Sequence, residues 1–248
     1  MFALLRKEID SFLNSLIGYV VILVFLLSIG LFLWIFPGTE FNLLENGYAN
    51  LDSLFILSPW MFLFLIPAIT MRMFAEENKS GTIELLLTRP LSDLQIVLAK
   101  YGAAVILVLF SIVPTFVYYI SVYKFASPSG NIDTAGISGS YIGLIFLCSG
   151  FASIGIFTSS LTNNQIIAFI LSVLLCFFFY SGFDFISSMM STGPVGILLS
   201  QFGMSNHYAS LSRGVIDTRD LVYFLSLSSF FILLSKFNLE KENGSYPF

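Results

Sequence analysis

Six stretches of this chain are long and apolar enough to cross a bilayer, and nothing else in it constrains the fold as strongly. A helix needs about 20 mostly apolar residues to span the hydrocarbon core. Ile17–Phe36, Leu54–Phe74, Tyr101–Tyr123, Tyr141–Leu161, Ile166–Phe183 and Leu221–Phe237 each meet that requirement. Only 10% of the 248 residues are charged, against roughly 25% in a soluble domain, and the mean hydropathy is +0.89. The expected fold class is therefore an all-α integral membrane protein with six spans.

The first run is expected to be a retained span rather than a cleaved leader. It exceeds the 7–15 apolar residues of a signal peptide, lacks a small-residue cleavage site, and ends in Trp34, Ile35, Phe36 and Pro37. Before it, Phe2, Leu5, Ile9, Phe12, Leu13 and Leu16 recur at helical spacing, with Arg6, Lys7, Asp10 and Asn14 on the other side. That pattern predicts an amphipathic helix over residues 1–16, lying in the membrane interface. A short polar turn, Thr162 to Gln165, separates the fourth and fifth spans as a tight hairpin. Residues 17–237 then form one six-span body with a polar loop at 75–100 and a longer one at 184–220, followed by a tail at 238–248.

Six spans place both termini on one side, and basic residues choose the side. With the N-terminus inside, Arg6, Lys7, Arg72, Lys79, Arg89, Lys100, Lys236 and Lys241 are internal, and only Lys124, Arg213 and Arg219 external. Eight against three is a clear positive-inside bias. Both termini and the 75–100 loop are thus expected in the cytoplasm of a bacterial inner membrane.

Several function classes fall away. The net charge of −4 offers no basic patch for nucleic acid. Cys148 and Cys176 lie within apolar runs and read as small packing residues. The span interiors contain no Asp, Glu, Lys, Arg or His, so there is no intramembrane relay for a proton-coupled pump. No GxxxxGK[ST] stretch is present for binding ATP through a P-loop. No catalytic residue, metal site or cofactor is expected of this chain, and any pumping draws its energy from a partner.

The loop Ala75–Lys100, AEENKSGTIELLLTRPLSDLQIVLAK, concentrates charge: Glu76, Glu77, Lys79, Glu84, Arg89, Asp93 and Lys100 are seven of the charged residues, of which the chain has 11 basic and 15 acidic. Gly81 and Pro90 bracket about two helical turns, with Thr82 placed to cap them and Glu84 near the positive end of their dipole. Ile83, Leu85 and Leu86 give that helix an apolar side. Ser92 and Gln95 have capping-box spacing, so a new helix starts there and enters the third span. Residue physics leaves two readings open: a solvated loop lying on the membrane, or a docking element that passes movement from a motor to the spans.

The stretch Glu76–Leu91, followed by Lys100-Tyr101 at the head of a span, resembles the cytoplasmic loop of type 2 ABC exporter permeases. The resemblance extends over nearly the whole chain. It implies a six-span subunit that begins with an interfacial helix and pairs with a second permease subunit, identical or related. It also implies a separate ATPase subunit that binds ATP and Mg and receives a coupling helix from this loop. Carried over by position, the interface comprises Glu76, Glu77, Gly81, Thr82, Ile83, Glu84, Leu85, Leu86, Arg89 and Pro90. A second stretch, HYASLSRGVIDTRDLVYF (His207–Phe224), is similar to the segment before the last span in the gliding-motility-associated branch of that family from Bacteroidetes.

In the outer loop, Asn206–Arg213 is expected to form a short helix ended by Gly214, re-entrant or on the surface, closing the outer end of a pathway. Asp217 or Thr218 is placed to cap the last span, with Asp220 in its first turn. Arg213, Gly214, Asp217, Arg219 and Asp220 are candidate gate or structural residues. Ser149, Gly150, Ser153 and Gly155 give the fourth span a small-residue face suited to helix packing. Pro59, Pro67 and Pro114 mark places where spans can kink. Two rival functions remain. Gly136-Ile137-Ser138-Gly139 matches the G-x-S-G of rhomboid-like proteases, with His207 the sole histidine, but Ser138 is expected in a loop. A channel or scaffold would leave the polar segment without a role.

Overall fold

The computed structural model describes residues 1–45, 47–83, 90–189 and 194–244, and among them there are helices and no strand. In chain order these are α1 (Phe2–Leu13), α2 (Leu16–Trp34), α3 (Asp52–Thr70), α4 (Ala75–Ser80), α5 (Asp93–Ile112), a 3-10 turn (Val113–Thr115) and α6 (Phe116–Phe125). There follow α7 (Thr134–Ser160), α8 (Gln165–Phe177), a π turn (Phe178–Gly182), α9 (Phe183–Met189), α10 (Pro194–Ser200), α11 (Met204–Leu211) and α12 (Thr218–Gly244). Six helical stretches are long and apolar enough to cross a membrane, each containing one of the runs read from the sequence, to within a residue or two at the ends.

Every span but the first is longer than the hydropathy alone suggested. The fourth begins at Thr134, because Asp133 caps it by accepting a hydrogen bond from Gly136 N at 2.9 Å. Ser138 therefore lies on a helix rather than in a loop. The fifth continues beyond Phe183 through the π turn to Met189, and the last runs on to Gly244, taking in part of the expected tail.

Helix α7 is the axis of the bundle, packing against α3, α5, α8, α11 and α12. In its spanning window 72% is buried, against 22% in the first and fifth spans. Close approach explains the small residues along it. A Cβ at Gly155 would collide with Thr70 Oγ1 and lie 2.9 Å from Thr70 Cβ, while one at Gly150 would come within 3.2 Å of Met204. The small-residue face is thus a seam within the subunit.

Helix α1 is amphipathic as expected, but its apolar side meets protein. Leu4 and Phe12 are buried, and Leu5, Ile9 and Leu13 pack on the core. Phe2 and Leu16, at the ends of the expected stripe, remain 83% and 79% exposed. The helix lies against α5 and the start of α2. Ser15 makes the corner by accepting from Gly18 N at 3.1 Å and donating to Phe12 O at 2.8 Å.

The prolines act locally. Pro59 has no N–H to offer the carbonyl four residues back, and Tyr208 of α11 donates its hydroxyl to that carbonyl, Phe55 O, at 2.8 Å. Pro114 sits in the 3-10 turn that divides the third span, and Pro67 lies just before α3 ends at Thr70.

Candidate functional site at the stem of the polar segment

The second span breaks between α3 and α4, at Met71–Phe74, and a helix break at membrane depth must find partners for its backbone. Side chains of two other helices supply them. Ser159, next to last in α7, accepts from Phe74 N at 3.0 Å and Ala75 N at 3.1 Å, and donates to Met71 O at 3.1 Å. Lys100 of α5 donates to Met73 O at 2.5 Å. The joint that leads into the polar segment is therefore fixed from two sides.

Lys100 does more than this. The Ser92–Gln95 capping box forms as expected and sets the start of α5, which turns Lys100 inward among Ile96, Val97, Ala103 and Ala104. Its side chain has no exposed surface. Nζ lies 2.9 Å from Glu8 Oε1 of α1, 2.7 Å from Glu77 Oε2 of α4, and 4.9 Å from the centre of the Phe74 ring. Lys7 completes the group, 2.7 Å from Glu77 Oε1 and 3.4 Å from Glu8 Oε1. Burial works to lower the Lys7 pKa, but the hydrogen bond to Glu77 and the charges of Glu8 and Glu77 outweigh it and hold the ammonium above its usual value. Two cations and two anions make a neutral cluster. Neutrality matters because each unpaired buried ion costs several kcal/mol, on the order of 3–5 when one partner is removed.

The residues assigned to a partner interface by resemblance divide into inward and outward sets. Glu77 is buried and turned to Lys100 and Lys7. Ile83 is also buried, within the core. Glu76 is exposed and paired with Arg72 at 3.0 Å. Gly81 ends α4 in the left-handed conformation, φ +69°, which glycine adopts without steric cost. Thr82 and Ile83 are helical, and the Thr82 hydroxyl lies 2.9 Å from Ser80 Oγ. Thr82 and Pro90 are exposed. Glu84, Leu85, Leu86 and Arg89 lie outside the described residues. Sequence reasoning missed the cluster itself. A lone lysine at the mouth of an apolar run was a usable signal, but nothing local identified Glu8 or Glu77 as its partners.

At the opposite end, α11 enters the bundle, burying Met204, Tyr208 and Leu211. The Arg213–Gly214 turn that follows has Gly214 at φ +78°. Its backbone presses on α7 so closely that a Cβ at Gly139 would lie 2.6 Å from Gly214 O. Gly136 and Gly139 are thus the seat of this turn, which accounts for the GISG stretch without a nucleophile. Ser138 donates to Ala135 O in its own helix at 2.8 Å. His207 is engaged elsewhere: Nδ1 is 2.7 Å from Asp220 Oδ1, Nε2 is 2.8 Å from Gln201 O, and the ring stacks on Tyr223. A serine nucleophile needs a base within reach, and these hydrogen bonds leave no Ser–His pair.

Asp217 caps the last span, accepting from Arg219 N at 2.9 Å. Arg213 donates to Ala209 O at 3.1 Å, and Arg219 is exposed. Asp220 holds α11 to α12 through His207. The five outer-loop candidates are thereby gathered around one helix–turn–helix junction.

A search of curated proteins finds no match for this chain. A model of the ABC-2 family transporter protein matches residues 47–234, from the loop before the second span almost to the end of the last. That range contains five of the six spans, the polar segment and helix α11. Together with six spans around a buried central helix, it shows that the chain belongs to the ABC-2 family and is a membrane-spanning permease subunit of an ABC transporter.

Proposed function

We propose that this subunit couples ATP hydrolysis by a separate ABC ATPase to export, or to force exerted across the membrane. The segment from Gly81 to Ser92 is the docking element. The observation that carries this reading is the contrast at its base. The stems on either side are bonded to each other and to α1 and α7, and Ile83 is buried, while Gly81, Thr82 and Pro90 at its limits are exposed. A rigidly rooted segment with exposed limits is what a motor needs to push against. The positive-inside bias places this end, with both termini, in the cytoplasm, and an inner-membrane location follows from the same reading.

The second permease subunit packs, in this reading, along the first and fifth spans, the two least buried. Between α2, α3 and α8 runs an apolar groove of about 350 Å³ lined by Val24, Phe25, Met61, Phe64 and Phe169 among others. The absence of charge from the span interiors favours a lipid-like or polymeric substrate over a small ion. A role in gliding motility is supported by the similarity of His207–Phe224 alone.

The test is recovery of tagged chain from native membranes, assayed for ATP hydrolysis, beside a Leu86→Glu variant. ATPase that accompanies the wild type and is lost from a normally inserted variant supports docking. Wild type that brings down no ATPase after mild crosslinking overturns the reading and leaves a scaffold or channel.

A further inference from the structure

The two helices that carry the polar segment, α4 before it and α5 after it, are joined across their bases by Glu77 and Lys100 at 2.7 Å. The same Lys100 Nζ reaches Glu8 of α1 at 2.9 Å and Met73 O of the α3–α4 joint. Four separate pieces of backbone thus converge on one ammonium group with no exposed surface. Solvation does not require this arrangement, since Lys79, one residue from the end of α4, is exposed. A lysine buried among apolar residues is held there by its partners, and releasing any one leaves an ion in a low-dielectric site.

We infer that Lys100 is a positioning residue that clamps the stems of the polar segment together and yokes the N-terminal helix α1 to them, so that α1, α4 and the base of α5 move as one body. This deepens the coupling reading above and rests on it for its consequence. Movement received at Gly81–Ser92 then reaches the first span through α1 and the Ser15 corner, as well as the second and third directly. Lys7, paired with Glu77 and Glu8, adds a second tie from α1.

The clamp can be tested on the isolated chain in lipid nanodiscs, with spin labels on the exposed positions Asp10 and Lys79. Wild type is expected to give one narrow distance distribution. The triple variant Lys100→Met/Glu8→Gln/Glu77→Gln removes the tie, leaves only the 58% exposed Lys7 without its partners, and is expected to broaden it. Glu8→Gln alone keeps the Glu77–Lys100 and Lys7–Glu77 pairs, detaches α1 from Lys100 only, and is expected to broaden the same distribution to a lesser extent. A narrow distribution in both variants overturns the clamp, whether or not any ATPase binds. In the complex with the co-purified ATPase, a label pair at Asp10 and Arg219 reports transmission. The expected result for the triple variant is continued ATP hydrolysis with loss of the ATP-linked distance change seen in wild type. Persistence of that change refutes the role in coupling. Absence of ATPase from the wild type refutes the proposed function instead, and the isolated-chain result still decides the clamp.

Discussion

Replacing Ser159 by alanine isolates the joint between α3 and α4 from everything else in the bundle. One hydroxyl there satisfies two backbone N–H groups, Phe74 and Ala75, and donates to a carbonyl, Met71 O. Leaving a buried donor unpaired costs about 1–3 kcal/mol, so two orphaned donors imply a loss of about 2–6 kcal/mol. The low end of that range, about 2 kcal/mol, is the expectation. A typical side-chain hydrogen bond between membrane helices contributes only about 0.6 kcal/mol, so the two cases are separable. Ser153→Ala is the matched control: it lies on the same helix, is equally buried, and donates only to Gly150 O within its own helix. The assay is reversible unfolding in mixed micelles, with both variants read against wild type. If Ser159→Ala is no less stable than Ser153→Ala, the joint is not held by this hydroxyl and the account of a fixed stem fails.

Other consequences follow from the same contacts. Gly155→Ala drives a methyl group into Thr70 and is expected to cost about 1–3 kcal/mol, part of which Thr70→Ala recovers by removing Oγ1; the unfolding assay applied to the pair checks this. Tyr208→Phe leaves the Phe55 carbonyl, already deprived by Pro59, without a donor, and is expected to cost about 1–2 kcal/mol and to speed proteolysis of the Gln201–Asp217 region. Lys7 has its pKa raised in the folded chain, so its pairing stabilises fully below the unfolded value of 10.5 and is lost as pH rises through the higher folded value. The stability difference between wild type and Lys7→Met is expected to be constant from neutral pH to pH 9 and to vanish in stronger alkali. Because Lys7 is 58% exposed, the difference is small, under about 1 kcal/mol, and shrinks with salt. Ser138→Ala is expected to leave stability and any ATP-linked activity unchanged, and a serine-directed fluorophosphonate is expected not to label the chain.

Much of this architecture was legible in the chain itself. Membrane helices satisfy their own backbones, so apolar runs such as Ile17–Phe36 and Tyr101–Tyr123 revealed the spans without reference to anything else. Capping is similarly local, which is why Ser92 with Gln95 located the start of α5 and Asp217 that of α12. Glycine after a helix end is local too, as at Gly214, whereas Gly81, read as opening a helix, closes α4. Where capping overrode hydropathy, at Asp133, the sequence reading began the fourth span too late.

What the sequence could not supply were pairings between residues far apart along the chain. Glu77 looked like an outward charge beside Glu76 until α5 brought Lys100 against it, and Glu8 belonged to what read as the polar side of a surface helix. Gly136 and Gly139 resembled a protease motif until the Arg213–Gly214 turn was found seated on them. Pro59 announced a missing donor, but only the bundle could name Tyr208 as the group that replaces it. Hydropathy and capping are set by neighbours within a few residues, whereas the partner of a buried charge or an orphaned carbonyl is set by how six helices pack. The sequence alone therefore determined a six-span membrane protein with a polar segment between its second and third spans. Tertiary structure decided which of that segment's charges face inward, and that they lock its base to the N-terminal helix.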